Sequence, residues 1–255
     1  MKLKFIGTSS GQTNPNRNHS AILFENDSSK ILIDCGDGVS RSLLHQKILP
    51  NQINKIIISH FHSDHIAGLP SLLTQMIISK RNTSIDIFIP KGLQITLQNF
   101  LRSNLLFIEK YDFKIDLHEF ELNKECKFDK DFKFVAKQNS HISNKHNIKI
   151  KNLEFVSVSF LFKINKKNIF HTADIGSAKD LLLFNNFNVD TFICETTHLS
   201  LKEIENYIID RKIKRTFLTH INYSDEELIS DWHNNLPKNF QRQLIIAHDG
   251  LSIKI

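Results

Sequence analysis

The chain has 255 residues, 40% hydrophobic and 24% charged, which is the composition of a globular protein long enough to bury a substantial core. No run approaches the roughly 20 apolar residues of a membrane-crossing helix, and Met1–Ile6 meets Gly7 too soon for a signal peptide, so no membrane partner is expected and the expected location is the cytoplasm. Lys and Arg number 33 against 27 Asp and Glu, with a pI near 9.1, which suits a phosphate-bearing substrate or nucleic acid and equally a surface of scattered, solvated lysines.

Leu3 and Phe5 alternate with Lys2 and Lys4, so the chain opens with a half-buried strand. Residues 7–18 are dense in turn formers; Arg17 and His19 are the polar handles here, placed either in solvent or beside a substrate. Ala21–Phe24 and Lys30–Ile33 form a predicted hairpin. Its second strand runs into Asp34-Cys35-Gly36-Asp37-Gly38. Asp34 is expected to orient a metal-binding imidazole, since such rings donate their other N–H to a carboxylate or carbonyl; a plain turn aspartate is the alternative. Residues 40–49 carry Leu43, Leu44 and Ile48 at helical spacing and stop at Pro50.

The strand Lys55–Ile58 then delivers Ser59-His60-Phe61-His62-Ser63-Asp64-His65. Side chains of extended backbone alternate faces, so His60 and His62 point the same way. Asp64 and His65 are adjacent and face a second position as the chain turns toward Gly68-Leu69-Pro70. The spacing therefore suggests two metal ions. Imidazoles and carboxylates without thiolates suit zinc, with manganese and iron as alternatives, and such a site is more often catalytic than structural.

Beyond the cluster, Leu69–Ile78 reads as a helix, Ile85–Ile89 as a strand and Leu93–Phe100 as a helix. Lys114–Phe120 and residues 127–135 return to period-two alternation, with His118 on the exposed phase. A strand ending at His141 repeats the strand-to-histidine arrangement, with His146 as a nearby competitor, and Asn152–Ile164 is apolar and β-branched. Ile169–Asp174 reads as a strand ending in a carboxylate suited to bridge two metals, with His171 packed or supporting a ligand. Lys179–Leu183 opens a short helix, and Val189–Cys194 is a buried strand delivering Glu195-Thr196-Thr197-His198. An amphipathic helix follows through Lys212, then a strand ending at His220, and two strands close the chain at Gln243–Ala247 and Leu251–Ile255. Cys35, Cys126 and Cys194 are too widely spaced for a disulfide framework and are expected to be buried. No linker or internal repeat divides the sequence, so one domain over residues 1–255 is expected, built as two stacked sheets covered by helices.

His60, His62, Asp64 and His65, with His141, Asp174 and His220, resemble the metallo-β-lactamase superfamily over nearly the whole chain. Within it, Gly7-Thr8-Ser9-Ser10-Gly11, Arg17-Asn18, Asp34–Gly38, Gly68-Leu69-Pro70 and Leu218-Thr219-His220 resemble the ribonuclease Z branch. The resemblance implies an α/β fold, a four-layer αββα sandwich. It implies His60, His62 and His141 at one metal, Asp64, His65 and His220 at the other, and Asp174 between them. It also implies a glutamate–histidine pair that protonates the leaving group, for which Glu195 and His198 are the counterparts. The chain departs from that branch in carrying Cys194 where histidine is usual, in lacking the loop between glutamate and histidine, in lacking an arginine after His220, and in lacking the inserted arm that clamps transfer RNA.

Two metal ions can activate a shared water and stabilise both oxygens of an in-line displacement. The expected function is thus a phosphodiesterase or ribonuclease Z-like endoribonuclease working through a metal-bridging hydroxide on RNA or a nucleotide, with Asp64 orienting the nucleophile and a homodimer left open. A metal-dependent acyl hydrolase acting on a thioester, lactone or β-lactam uses the same site, and a metal-bound or nucleic-acid-binding scaffold without turnover is the third reading.

Overall fold

The computed structural model describes residues 1–142 and 154–255. Its strands are β1 (Lys2–Gly7), β2 (Ala21–Glu25), β3 (Lys30–Ile33), β4 (Lys55–Ile57), β5 (Ile85–Pro90), β6 (Ile115–Phe120), β7 (Glu125–Lys127), β8 (Phe132–Gln138), β9 (Val158–Ile164), β10 (Lys167–His171), β11 (Thr191–Glu195), β12 (Thr216–Thr219), β13 (Leu244–Ile246) and β14 (Ser252–Lys254). One sheet runs β14-β1-β2-β3-β4-β5-β6 and the other β13-β12-β11-β10-β9-β8-β7. Strands β3 to β6 are parallel, as are β10 to β13; the remaining pairs are antiparallel. Parallel neighbours need crossovers. The helices Val39–His45, Leu69–Ile78 and Gln94–Ser103 supply them on the first sheet, and Ala178–Phe184, Leu201–Asp210 and Glu226–Asn235 on the second.

Strand alternation sorts the apolar residues into three layers. Phe5, Phe24, Phe132, Phe160, Phe162 and Phe217 come from both sheets and fill the space between them. The ring centroids of Phe24 and Phe162 lie 5.1 Å apart and those of Phe5 and Phe217 5.5 Å apart, each pair joining the two sheets. Leu23, Leu32 and Ile56 point outward to the first helix layer, and Leu161, Phe170 and Leu218 to the second. The result is the expected αββα sandwich.

Several local expectations change. The first helix ends at His45, because Lys47 takes a left-handed φ of 61°. Residues 127–135 belong to two strands; the Asp129 carboxylate accepts from the N–H groups of Asp131 and Phe132 and closes the turn between them. The strand before Asp174 stops at His171, and the aspartate is reached across Ala173, with φ of 48°. Cys35 and Cys194 are buried, but Cys126 is only half-buried. His118 is exposed, as expected. Among the described residues, no helix is long and apolar enough to cross a membrane.

Candidate metal centre

Both parallel runs carry their strand ends to one edge of the sandwich, where two groups of donors assemble. His60, His62, His141 and Asp174 form one; Asp64, His65, Asp174 and His220 form the other. Within each group the offered atoms lie within 4.8 Å of one another, and Asp174 belongs to both. All seven residues singled out in the sequence are brought together. His146 lies outside the described residues.

The route to this geometry differs in one respect from strand alternation. β4 ends at Ile57, so His60 and His62 lie beyond it, and a helical turn over Ser63–Ile66 carries Asp64 and His65. His60 and His62 nevertheless converge, with ring centroids 4.8 Å apart, and His62 Nδ1 lies 2.9 Å from His141 Nε2. Gly36 makes room for the turn: a Cβ there would sit 2.2 Å from the Asp64 carbonyl oxygen and 2.7 Å from His19 Cβ.

Supporting hydrogen bonds fix which nitrogen faces inward. His65 Nδ1 donates to Asp34 Oδ2 at 2.8 Å. The Ser59 hydroxyl donates to the same oxygen at 2.8 Å and lies 2.9 Å from His60 Nδ1. Asp34 thus takes the expected orienting role for His65 and, through Ser59, for His60. His60 Nε2 is left buried with no hydrogen-bond partner, and His65 Nε2 and Asp174 Oδ1 are buried facing each other at 3.1 Å. An unpaired buried polar atom costs about 1–3 kcal/mol, and these inward-turned nitrogens and oxygen fit divalent metal ions held by imidazole and carboxylate.

The charge states agree. Burial pushes the His60 imidazole well down, and the neighbouring His65 adds to the effect. Burial pushes His141 down to about 4. Both rings are therefore neutral and free to ligate near neutral pH. Burial raises the Asp64 carboxyl, but hydrogen bonds from His220 and His65 outweigh it and hold it below the ordinary carboxylate range. Burial raises Asp174 too and is outweighed by His220 and His65. Burial lowers His65, against which Asp174 and Asp34 prevail and raise it.

Glu195 and His198 meet beside the cluster, with His198 Nδ1 2.8 Å from Glu195 Oε1. Glu195 is buried, and its carboxylate also accepts from the N–H groups of Ile175, Thr197 and His198. The hydrogen bond from His198 holds Glu195 low against the cost of burial, and the same bond raises His198. The His198 ring is partly exposed and its centroid stands 4.7 Å from that of His141.

Arg17 takes neither of its expected places. Its guanidinium is paired with Glu226 and donates to the Thr8 hydroxyl and the Ala247 carbonyl, which pins the loop to the C-terminal strands. His19 is half-buried behind Gly36. Three supporting residues were not singled out in the sequence: Ser59, Thr197 and Asp180. Asp180 accepts from the Ser140 hydroxyl and the Gly176 N–H, joining the loops of His141 and Asp174. The Ser-His dipeptide at a donor histidine and the Thr-His dipeptide at His198 were the available signal for the first two; Asp180 had none.

Residues 1–245 match the family described as Anti-Pycsar protein Apyc1. Ribonuclease Z of Methanococcus aeolicus is 35% identical over 136 residues, 53% of this chain and 41% of that protein. Ribonuclease Z of Methanocaldococcus jannaschii is 38% identical over 119 residues, 47% and 37% of the respective lengths. The matched region thus spans about two fifths of these curated relatives. Among solved structures, the short form of human tRNase Z superposes with a TM-score of 0.71 at 21% identity, covering 100% of this chain and 99% of that one. The metallo-β-lactamase fold protein YhfI from Bacillus subtilis gives 0.75 at 18%, covering 99% and 98%. With this fold and this clustering of donors, the chain belongs to the Anti-Pycsar protein Apyc1 family, has the metallo-β-lactamase fold and is similar to ribonuclease Z.

Proposed function

We propose that this chain is a metal-dependent phosphodiesterase that hydrolyses a phosphodiester of RNA or a nucleotide. The observation that carries the reading is the Glu195–His198 pair, 2.8 Å apart at the rim of the two donor groups. Cleaving a phosphodiester of a sugar releases a poor alkoxide leaving group, and a positioned acid speeds such a step by about 10²–10⁴-fold. His198 meets the requirement: its Nδ1 is held by Glu195, its ring is partly exposed, and its basicity is raised.

His60, His62 and His141 would hold one ion, Asp64, His65 and His220 the other, with Asp174 between them. When bound, the ions supply Lewis-acid stabilisation of phosphoryl charge and lower the pKa of water. Asp64 orients the attacking water, His198 as an imidazolium gives its Nε2 proton to the leaving oxygen as the P–O bond breaks, and Glu195 holds the Nδ1–H and favours the doubly protonated ring that makes this donation. The names ribonuclease Z and tRNase Z borne by the relatives support a phosphodiester substrate. Zinc is the ion of this reading, because the donors are imidazole and carboxylate without thiolate. The reading also takes residues 1–255 as one domain, in the cytoplasm, with self-association as a homodimer to be measured by light scattering.

The test is a Zn²⁺- or Mn²⁺-reconstituted protein assayed against a bis-aryl phosphodiester, cyclic nucleotides, RNA, a thioester and a lactone, with Asp64→Ala as control. Turnover confined to phosphodiesters and lost in Asp64→Ala is expected. Turnover of only the thioester or lactone would replace this reading with an acyl hydrolase.

A further inference from the structure

The Thr197 hydroxyl sits among three partners. Its Oγ1 lies 2.7 Å from Glu195 Oε2, 3.1 Å from His220 Nδ1 and 2.9 Å from His198 Nδ1. A hydroxyl has one proton to give, and a carboxylate can only accept, so that proton goes to Glu195. Toward His220, Thr197 therefore acts as acceptor, while the single proton on His198 Nδ1 goes to Glu195 Oε1 at 2.8 Å, with Thr197 beside it. His220 turns Nε2 to the donor cluster, 3.0 Å from Asp64 Oδ2 and 3.2 Å from Asp174 Oδ2. A ring that offers Nε2 as a ligand carries its proton on Nδ1, which then donates to Thr197. The proton inventory forces one chain: His220 Nδ1–H to Thr197 Oγ1–H to Glu195, with His198 Nδ1–H meeting the other oxygen of the same carboxylate.

The first half of the fold builds the same device. There Ser59 donates to Asp34 and accepts from His60, while Asp34 also holds His65. The difference lies in what hangs from the carboxylate. Asp34 serves two members of the donor groups, whereas Glu195 serves one of them, His220, and the exposed ring of His198.

We propose that Thr197 is a positioning residue that couples the second donor group to the acid, so that one hydroxyl sets both the grip of His220 on its ion and the aim of His198 at the leaving oxygen. The proposal rests on the phosphodiesterase reading for its second half only. Thr197→Val keeps the shape and removes the hydroxyl; Thr197→Ser keeps the hydroxyl.

In the full chain, three quantities are measured: the melting temperature, the affinity for the second equivalent of Zn²⁺ by chelator competition, and the ratio of kcat/KM for a bis-4-nitrophenyl phosphate over that for a dinucleotide. Nitrophenolate leaves without a proton and the sugar oxygen does not. Thr197→Val is expected to weaken the second Zn²⁺ by about 10–100-fold and to raise the ratio at least about tenfold, with Thr197→Ser close to the parent in both. A folded Thr197→Val protein with the parent's Zn²⁺ affinity overturns the proposal whatever its rates. So does a change in affinity with an unchanged ratio, or a Thr197→Ser protein no better than Thr197→Val. A parent that cleaves neither phosphodiester sinks the proposed function and, with it, the acid half of the coupling, while the Zn²⁺ affinities still judge the link between Thr197 and His220.

Discussion

Asp34 accepts a hydrogen bond from His65 Nδ1 at 2.8 Å while holding Ser59 through its N–H and hydroxyl at 2.7 and 2.8 Å. The carboxylate is buried and lies at the end of β3, with a left-handed φ of 60° that swings the chain away from the strand. One side chain therefore orients a member of each donor group. Asp34→Ala leaves the direct ligand atoms in place but frees both rings. The expected outcome is a loss of metal affinity of about 10–100-fold, measured by competition with a chromophoric chelator. Parent-like affinity would mean that packing alone aims His60 and His65.

The acid pair predicts a dependence on leaving group. Glu195→Gln and His198→Asn are expected to slow cleavage of a dinucleotide by about 10²–10⁴-fold and to spare a nitrophenyl ester. Equal losses on both substrates would remove His198 from proton transfer.

His171 gives a prediction about acid stability. The ring is buried, and burial pushes its imidazole down to about 4. The unfolded ring takes up a proton near pH 6.5, and the folded one does not until about pH 4. Between those values the unfolded state binds more protons, so stability falls as pH falls. At 1.36 kcal/mol per unit the window is worth about 3 kcal/mol. The Tm of chelator-treated protein should drop between pH 7 and 4.5, and less steeply in His171→Asn. Identical slopes would show that His171 takes no part.

Gly36 carries a steric prediction. A methyl group there meets backbone atoms of the Asp64 and His19 segments, which cannot move without moving the site. Gly36→Ala should cost about 1–3 kcal/mol and lower Tm by roughly 2–4 °C for each of them. A variant that melts with the parent would contradict the close approach.

The sequence was most legible where one residue type has one physical use. The strands stood out because β-branched and aromatic residues alternate, and Leu69–Ile78, read as a helix, is one over those residues. The donor residues stood out because imidazoles and carboxylates cluster at strand ends. What stayed hidden depends on contacts between distant segments. Glu226 pairs with Arg17 across 209 positions, and that pair makes a structural tie of a residue whose sequence left it between solvent and a substrate. Ser59 and Thr197 are ordinary hydroxyl residues until folding sets each between a carboxylate and an imidazole. The positive φ values of Lys47 and Ala173 displaced two predicted element ends, and neither residue type signals such a conformation.

Asp174, shared by both donor groups, is proposed to join two metal positions, and counting bound ions decides whether it does. Protein purified and dialysed against Zn²⁺ should hold two ions per chain by inductively coupled plasma mass spectrometry, and Asp174→Ala should hold one or fewer. A parent that binds a single ion, or an Asp174→Ala protein that keeps both, would contradict it.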